Sequence, residues 1–228
     1  MKKLVTIVAS LVLAGGMIFA GDFYNGDIQL QLGAGFDSVK LADVDDKISA
    51  KVFDFGLETW HLFKPMDMLG VGFMTGFYGG LGSTDKWSYE LVGEKIEGNE
   101  NGFSGNFNWN IGPAVGLYLG NVVRLGATIG LDVGCNLDTP FVYEFSSGYG
   151  TFSASVQVSS AFAGIDFGLQ AKFFPNSVVN PVIGWRLVKG FSSTYDVYVS
   201  GLGSDTETVS NDYTFTQNVI YAALSFSW

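Results

Sequence analysis

Hydrophobic and polar residues alternate over short stretches of this chain, which predicts β-strands with one apolar face. The clearest stretch ends the chain, and its apolar positions are Ile220, Ala222, Leu224, Phe226 and Trp228. An apolar strand ending in tryptophan is unusual at the terminus of a soluble domain, because such termini are commonly polar and frayed. Tryptophan favours the membrane–water boundary, so the pattern indicates a strand that crosses a membrane.

Eight segments show this alternation. They cover residues 28–37, 53–58, 69–78, 106–117, 123–132, 163–173, 183–187 and 220–228. Six of them are long enough to cross a bilayer, since a tilted strand needs about 9–11 residues. The second and seventh are shorter. Lys189 interrupts the seventh pattern, and we expect a bulge near Gly190 or a strand end at the interface.

The connections between these segments alternate in length. Short connections cover residues 61–68, 120–121 and 175–181, and longer ones cover 42–50, 79–103, 138–150 and 195–213. Outer-membrane barrels have short periplasmic turns and longer extracellular loops. The sequence therefore predicts an all-β fold, an eight-stranded antiparallel up-and-down transmembrane β-barrel with both termini on the periplasmic side.

Aromatic residues cluster at both predicted ends of the strands, as in the interface girdles of membrane barrels. The periplasmic set is Phe23, Tyr24, Trp60, Phe63, Tyr118, Phe173, Phe174 and Trp228. The extracellular set is Phe53, Phe77, Tyr78, Phe107, Trp109, Phe191 and Phe215. A soluble sandwich or lipocalin-type barrel also alternates. Its polar face should be rich in lysine and glutamate, whereas this one is rich in glycine, asparagine and glutamine.

Residues 1–20 have the features of a secretory signal peptide. Lys2 and Lys3 precede an apolar stretch, and Ala20 with Gly21 offers a cleavage site between small residues. We expect residues 1–20 to be removed and residues 21–228 to form the barrel. No cysteine stands directly after the cleavage site, which argues against a lipid anchor. Cys135 is the single cysteine, so an internal disulfide is excluded.

Composition and charge narrow the possible functions. The formal net charge is −10, which argues against nucleic acid as a partner. Charged residues make up 15% of the chain, less than the roughly 25% of ordinary soluble proteins. After the signal peptide no stretch approaches the roughly 18 consecutive apolar residues of a membrane-spanning helix.

Charged residues also occur on the face predicted to line the barrel interior. They are Asp54, Glu58, Arg124, Asp132, Asp166, Lys172 and Arg186. Side chains about fill the interior of an eight-stranded barrel, and unpaired charges there are costly. We therefore expect an internal network of ion pairs, which acts either as a structural plug or as an ion path. Glycines spaced by four on the same face leave room for large side chains opposite them.

Short motifs add a resemblance to a known family. Residues 173–175 read Phe-Phe-Pro and residues 180–185 read Asn-Pro-Val-Ile-Gly-Trp. They resemble the last periplasmic turn and seventh strand of small outer-membrane barrels related to OmpA, OmpX and OmpW. The end of the chain resembles the signal read by the barrel-assembly machinery, through Tyr221, Leu224, Phe226 and Trp228. The resemblance implies an outer-membrane location, with membrane lipid and that machinery as partners.

Enzyme chemistry is poorly supported, and we predict no catalytic residue, cofactor or metal site. His61 is the only histidine and falls at a predicted periplasmic turn. Outer-membrane lipid hydrolases and acyltransferases with a Ser/His site act at the other end of the barrel. Asp43, Asp45 and Asp46 are close together, but they lack the spacing of an EF-hand calcium loop.

Two non-enzymatic functions remain. Pro113 lies in mid-strand, where it should remove one ladder hydrogen bond. The resemblance to OmpW-like barrels implies that such a break can accompany a lateral opening for small apolar or weakly polar solutes, although a bulge without function would look the same. The alternative is an OmpX-like adhesion or structural barrel whose loops, above all residues 79–103, meet a host surface ligand.

Overall fold

The computed structural model describes residues 24–41, 47–91, 94–98, 102–147, 150–200, 205–209 and 213–228. These residues form ten β-strands: β1 (Tyr24–Leu41), β2 (Lys47–Met66), β3 (Leu69–Leu91), β4 (Glu94–Gly98), β5 (Phe103–Leu119), β6 (Val123–Ser147), β7 (Gly150–Phe173), β8 (Val179–Ser200), β9 (Asp205–Val209) and β10 (Tyr213–Ser227). The described residues include no helix long and apolar enough to cross a membrane. The predicted signal peptide and the predicted loop aspartates Asp43, Asp45 and Asp46 lie outside the described residues.

Eight of the strands form a closed barrel, because the last strand pairs with the first. β10 pairs antiparallel with β1 on one side and with β8 on the other. Between them the order is β1, β2, β3, β5, β6, β7 and β8, and each pair of neighbours is antiparallel. The predicted eight-stranded up-and-down barrel is confirmed. The short strands β4 and β9 were not predicted, and they extend hairpins with β3 and β8.

The apolar face of each barrel strand points outward and the polar face points inward, the reverse of a soluble protein. On β1, Leu30 and Leu32 are 54% and 58% exposed, whereas Gln29 and Gln31 are 0% and 2% exposed. In water this arrangement would expose apolar surface and bury polar groups, both at a cost. In a bilayer the outward leucines meet lipid. The protein is therefore a membrane-spanning β-barrel.

All eight barrel strands are longer than the segments predicted for them. The second, predicted over residues 53–58, spans Lys47–Met66, and the seventh, predicted over 183–187, spans Val179–Ser200. Strict alternation is needed only where one face meets lipid. The sequence pattern therefore located the membrane-crossing part of each strand and missed the parts beyond it.

The irregularity expected near Gly190 lies a little further along the chain. Gly190 itself is paired with Gly164 on β7. The register between β7 and β8 shifts between Ala161 and Phe162, which pair with Thr194 and Ser192. Ser193 is thus the extra residue of a bulge.

The barrel has one end with short turns, here called the turn end, and one with long connections, the loop end. At the turn end, Gly120 adopts a φ of 60°, which glycine accepts without strain. The turn before β8 is fixed by Asn180, whose amide donates to the carbonyl oxygens of Phe174 (2.6 Å) and Ser177 (2.9 Å). The Asn180 amide oxygen accepts a 2.8 Å hydrogen bond from the hydroxyl of Ser227, which joins this turn to the last strand.

Four aromatic residues assigned to the girdles lie inside the barrel instead, and those assignments were wrong. They are Trp60, Tyr78, Tyr118 and Phe215, each between 1% and 4% exposed. Each lies on the inward face of its strand. The girdle assignment used only the distance along the strand, which does not reveal the face. Glycines make room for the rings: a Cβ on Gly126 would lie 2.9 Å from the Trp60 ring.

The outer surface at the turn end is an aromatic cluster built around the C-terminus. The backbone of Trp228 pairs with that of Gly26 through hydrogen bonds of 3.1 and 3.3 Å. His61 stacks on Phe73 with ring centroids 4.7 Å apart and meets the edge of Trp228 at 6.5 Å. The Tyr24 hydroxyl lies 2.5 Å from His61 Nδ1. His61 therefore lies within strand β2 on the outer surface, and its placement in a turn was wrong.

We predict that Gly72→Ala destabilises the barrel by about 1–3 kcal/mol, the usual cost of overpacking. A Cβ at Gly72 would overlap the backbone carbonyl oxygen of His61 on β2, and only movement of the strands could relieve the overlap. Urea unfolding of the barrel refolded into lipid vesicles, followed by tryptophan fluorescence, measures the change. Gly70→Ala is the matched control, because its nearest neighbours are side-chain atoms of Tyr118 and Leu62 at 3.2–3.4 Å. Equal stability of the two variants would contradict the role of close backbone approach.

Candidate functional site

The barrel interior is the candidate site, since it concentrates the buried polar chemistry of the chain. All seven charged residues assigned to it from the sequence point inward and are at most 3% exposed: Asp54, Glu58, Arg124, Asp132, Asp166, Lys172 and Arg186. The structure adds Asp27, Asp37 and Asp138, at 0%, 6% and 4% exposed. The alternation of inward and outward residues along each strand could have identified all three. Asp27 and Asp37 share the face of Gln29, and Asp138 shares that of Asp132.

The turn end of the lumen is closed by one carboxylate between two cations. Arg124 Nη1 lies 2.5 Å from Asp27 Oδ2, and Lys172 Nζ contacts Asp27 Oδ1. Lys172 Nζ also donates to the Ser227 hydroxyl at 2.6 Å. The Arg124 guanidinium lies 5.0 Å above the Trp60 ring. These contacts join β1, β2, β6, β7 and β10 across the barrel axis.

The middle of the lumen contains a single guanidinium. Arg186 Nη2 lies 3.0 Å from Asp54 Oδ2 and donates to Gln217 Oε1 at 3.4 Å. Its guanidinium carbon lies 3.4 Å above the Tyr78 ring, a close cation–π contact. Asp166 is further away, with 3.9 Å between its Oδ2 and Arg186 Nε. Arg186 is thus held mainly by Asp54 and Tyr78.

Glu58 is bound by neutral donors at the same level. It accepts hydrogen bonds from the Trp60 indole nitrogen and from the Tyr78 hydroxyl. Asp132 accepts a 2.7 Å hydrogen bond from the Asn108 amide. These residues come from β2, β3, β5 and β6, so the network connects neighbouring strands on one side of the lumen.

The loop end of the lumen is acidic with an apolar rim. Asp37 accepts a 2.5 Å hydrogen bond from the Asn106 amide, and Asp138 is buried at the same end. Phe162 and Phe215 pack together with ring centroids 4.7 Å apart. Among the described side chains, seven buried carboxylates face three buried cations. The turn end, where two cations share Asp27, has no excess of negative charge, and the uncompensated carboxylates lie in the middle and at the loop end.

The hydrogen-bond ladder between β5 and β6 is interrupted at mid-height. Pairing stops after Ile111 and resumes at Ala114, so Gly112 and Pro113 have no ladder partner on β6. Proline has no N–H to donate to a ladder. Pro113 is exposed on the lipid-facing side, and Gly112 and Gly130 are the side-chain-free inward positions next to it.

An apolar cluster lies inside the barrel directly behind this interruption. It consists of Trp60, Leu62, Met74 and Ala114, each at most 2% exposed. Met74 is the β3 partner of Gly112, and Ala114 is the next inward residue of β5. The interruption of the ladder therefore lies next to the apolar cluster of the lumen.

No protein-family model and no curated protein sequence matches this chain. Solved structures of outer-membrane barrels do. A major outer membrane protein from Thermus thermophilus is similar with a TM-score of 0.55 and 9% identity, over 89% of this chain and 99% of that chain. The outer membrane protease OmpT from Escherichia coli has a TM-score of 0.49 and 11% identity, over 92% of this chain and 98% of that chain.

The outer membrane protein OprG from Pseudomonas aeruginosa is similar at the same level, with a TM-score of 0.49 and 11% identity, over 91% of this chain and 98% of that chain. At these identities the likeness shows the fold and not the activity. The resemblance to small outer-membrane barrels, expected from the sequence, is confirmed at the level of the fold.

We predict that Asp27→Asn destabilises the barrel by about 3–5 kcal/mol, because removing the charge leaves Arg124 and Lys172 buried together without their shared carboxylate. The midpoint of urea unfolding in vesicles, with heat-dependent gel migration as the test of folding, measures the change. Asp85→Asn is the control. Its ion pair with Lys51, at 3.0 Å, is largely exposed, and we expect a loss below about 1 kcal/mol. A loss for Asp27→Asn no larger than that of the control would contradict the closing role of this layer.

Proposed function

We propose that this protein is a non-enzymatic barrel of the outer membrane that allows passive passage of small apolar or weakly polar solutes. The solute enters from the loop end and leaves sideways into the membrane between β5 and β6. The main support is that the ladder interruption at Pro113 adjoins the apolar cluster of the lumen.

A straight axial route fits the interior less well. The layer of Asp27, Arg124 and Lys172 occupies the turn end with fully buried charges in mutual contact. Trp60 and Leu62 fill the space next to it. An apolar solute passing this layer would separate buried ion pairs, at a cost of several kcal/mol.

A sideways exit is least costly where strand pairing is already incomplete. Each backbone group that loses its partner in lipid costs several kcal/mol, which opposes opening of an intact strand pair. At Pro113 the donor is absent, and Gly112 and Gly130 have no side chains to displace. From the apolar surface of Met74 and Ala114 the solute would reach lipid without crossing the turn-end layer of Asp27, Arg124 and Lys172.

Pro113→Ala tests this route, because alanine restores an N–H that can bond to β6 and close the gap. The measurement is the initial rate at which cells take up N-phenylnaphthylamine, a small apolar dye that fluoresces in membranes. Intact cells are required, since apolar dyes cross simple phospholipid bilayers unaided. We expect the wild-type protein to raise the rate above that of cells without it, and Pro113→Ala to remove the increase.

Pro181→Ala is the matched control. Pro181 is also an exposed strand proline, and it retains its partner Leu224 on β10. We expect this variant to take up dye at the wild-type rate, with equal amounts of heat-shifted barrel in all strains. Uptake by Pro113→Ala at the wild-type rate, or no effect of the wild-type protein, would rule out the proposed exit.

Export and assembly are part of the proposal. Residues 1–20 would direct the chain out of the cytoplasm, and the last strand would be read by the barrel-assembly machinery. In that strand Leu224 and Phe226 face outward, at 52% and 38% exposed, while Tyr221 faces the lumen. Trp228 lies on the outer surface at the turn end, so an apolar surface is available to a partner during insertion. Nucleic acid is not among the proposed partners.

The proposed absence of catalysis rests on the position of His61. It is the only histidine and lies on the outer surface among Tyr24, Phe73 and Trp228. The buried carboxylates face the lumen, on the other side of the wall. A general base and a buried acid are therefore not brought together at this histidine.

A second candidate function is adhesion through the loops, and the length of the strands supports it. β6 and β7 stay paired up to Ser147 and Gly150, well beyond the alternating segments of residues 123–132 and 163–173. β3 and β4 likewise form a hairpin, in which the paired residues run from Trp87 with Gly98 to Leu91 with Glu94. Paired strands that continue past the lipid-facing region would present a firm surface to a host ligand.

Deletion of residues 87–98, which removes this hairpin, separates the two candidates. If the loops bind a host ligand, cells with the shortened barrel lose adhesion to host cells and keep wild-type dye uptake. If the barrel transports solutes, adhesion is the same with and without the protein. Loss of the heat-shifted band would show a folding defect, and a shorter deletion that keeps the turn of the hairpin would then replace it.

A further inference from the structure

The middle of the lumen has more negative charge than its one cation can neutralise. Asp54, Glu58, Asp132 and Asp166 lie around Arg186, and all five side chains are at most 3% exposed. Arg186 binds Asp54 directly at 3.0 Å and contacts Asp166 only at 3.9 Å. Asp132 and Asp166 repel each other. Neither of these two carboxylates accepts a hydrogen bond from a cation.

Oxygen atoms without a hydrogen-bond donor surround the same two carboxylates. Asp132 Oδ1, Asn108 Oδ1, Asn110 Oδ1 and Thr128 Oγ1 are buried and have no hydrogen-bond partner. The amide nitrogens of the two asparagines are directed to Asp132 and to the Tyr78 hydroxyl, which leaves their oxygens available. Asn110 is the direct ladder partner of Asp132.

Thr128 provides an observation independent of the acidic groups. Its side chain is 8% exposed, and its hydroxyl has no partner. That oxygen is the nearest atom to a Cβ built on Gly168, so the hydroxyl is directed towards β7. The next inward residue of β7 on the loop side of Gly168 is Asp166. A buried hydroxyl with no partner is costly, which indicates that a ligand or water completes it.

Glycines are the ladder partners of the two carboxylates between β6 and β7, which makes Asp132 and Asp166 diagonal neighbours on the inner face of these strands. Asp166 is paired with Gly130, and Asp132 is paired with Gly164. The atoms nearest to a Cβ on either glycine are backbone atoms of neighbouring strands rather than side chains. Between β6 and β7, therefore, no side chain lies directly opposite either carboxylate.

We propose that a small hard cation binds between Asp132 and Asp166. Oxygen-only surroundings with carboxylate, amide and hydroxyl donors suit Na⁺ or Ca²⁺ rather than a transition metal. Within the described ranges no three His, Cys, Asp or Glu side chains are grouped closely enough to hold a metal. The site therefore uses two carboxylates with neutral oxygens, and its affinity is modest. The inference does not depend on the proposed solute route.

Thermal unfolding of the purified barrel in detergent tests the proposal, at an alkaline pH that keeps ordinary carboxyl groups ionised. NaCl or CaCl₂ replaces N-methylglucamine chloride at constant ionic strength, because that organic cation is too large for the site. We expect the unfolding temperature to rise saturably, by roughly 3–6 °C at about ten times the dissociation constant. Equilibrium dialysis with radioactive Ca²⁺ measures binding directly.

Variants separate binding in the lumen from effects on the surface. The double variant Asp132→Asn with Asp166→Asn should lose the saturable rise and the bound Ca²⁺, and in N-methylglucamine it should be at least as stable as the wild type. Thr128→Val retains every charge and should weaken binding several-fold. Asp67→Asn, in the exposed turn between β2 and β3, should respond like the wild type.

Two results would overturn the proposal. One is a wild-type barrel that shows neither a cation-dependent rise nor bound Ca²⁺, which would mean that protons neutralise these carboxyls. The other is a cation-dependent rise of wild-type size in both Thr128→Val and the double variant, which would locate the cation elsewhere. If the double variant does not fold, Thr128→Val and the direct binding measurement still decide the question.

Discussion

The structure depends on the absence of water in the bilayer core. Every backbone N–H and C=O there must bond within the chain, and a strand can achieve this only in a sheet without free edges. The pairing of β10 with β1 removes the two edges that an eight-stranded sheet would otherwise have. Between β5 and β6 the hydrogen-bond ladder lapses at Gly112 and Pro113. The proposed exit lies there because an incomplete ladder has fewer backbone bonds to lose.

Closing so few strands produces a narrow interior, and the inward residues must fill it. Large rings occupy one part of that space, as with Trp60 and Tyr78, and glycines on adjacent strands make room for them. Charged side chains fill the rest, and the barrel has too few cations to match its carboxylates. Filling and charge compensation are separate requirements. The lumen meets the first requirement through its aromatic residues. It does not meet the second, because two cations share Asp27 at the turn end and four carboxylates surround Arg186 in the middle.

Much of the fold could be predicted because lipid imposes alternation on each strand. The terminal run of Ile220, Ala222 and Leu224 revealed both the strand and its outward face. The same parity placed Asp132 and Arg186 inside. Girdle assignments failed for Trp60 and Tyr118, because aromatic residues suit both the interface and a crowded lumen, and only parity distinguishes these locations. Which carboxylate meets which cation, as for Asp27 with Arg124, depends on the shear of the barrel, which no local pattern encodes.

The seam between the first and last strands has a consequence for how the chain folds. The Ser227 hydroxyl oxygen lies 3.0 Å from Asp27 Oδ1, 200 residues away in the sequence, and the backbone of Trp228 pairs with that of Gly26. Such contacts have the highest possible separation along the chain, so the entropy of closing the loop must be overcome before they form. The seam therefore cannot nucleate folding. Until its last residues are in place, the chain would remain an open, curved sheet with two unpaired edges. In the final step of assembly, closure of the seam therefore competes with pairing between an unpaired edge of this chain and an exposed strand edge of another chain.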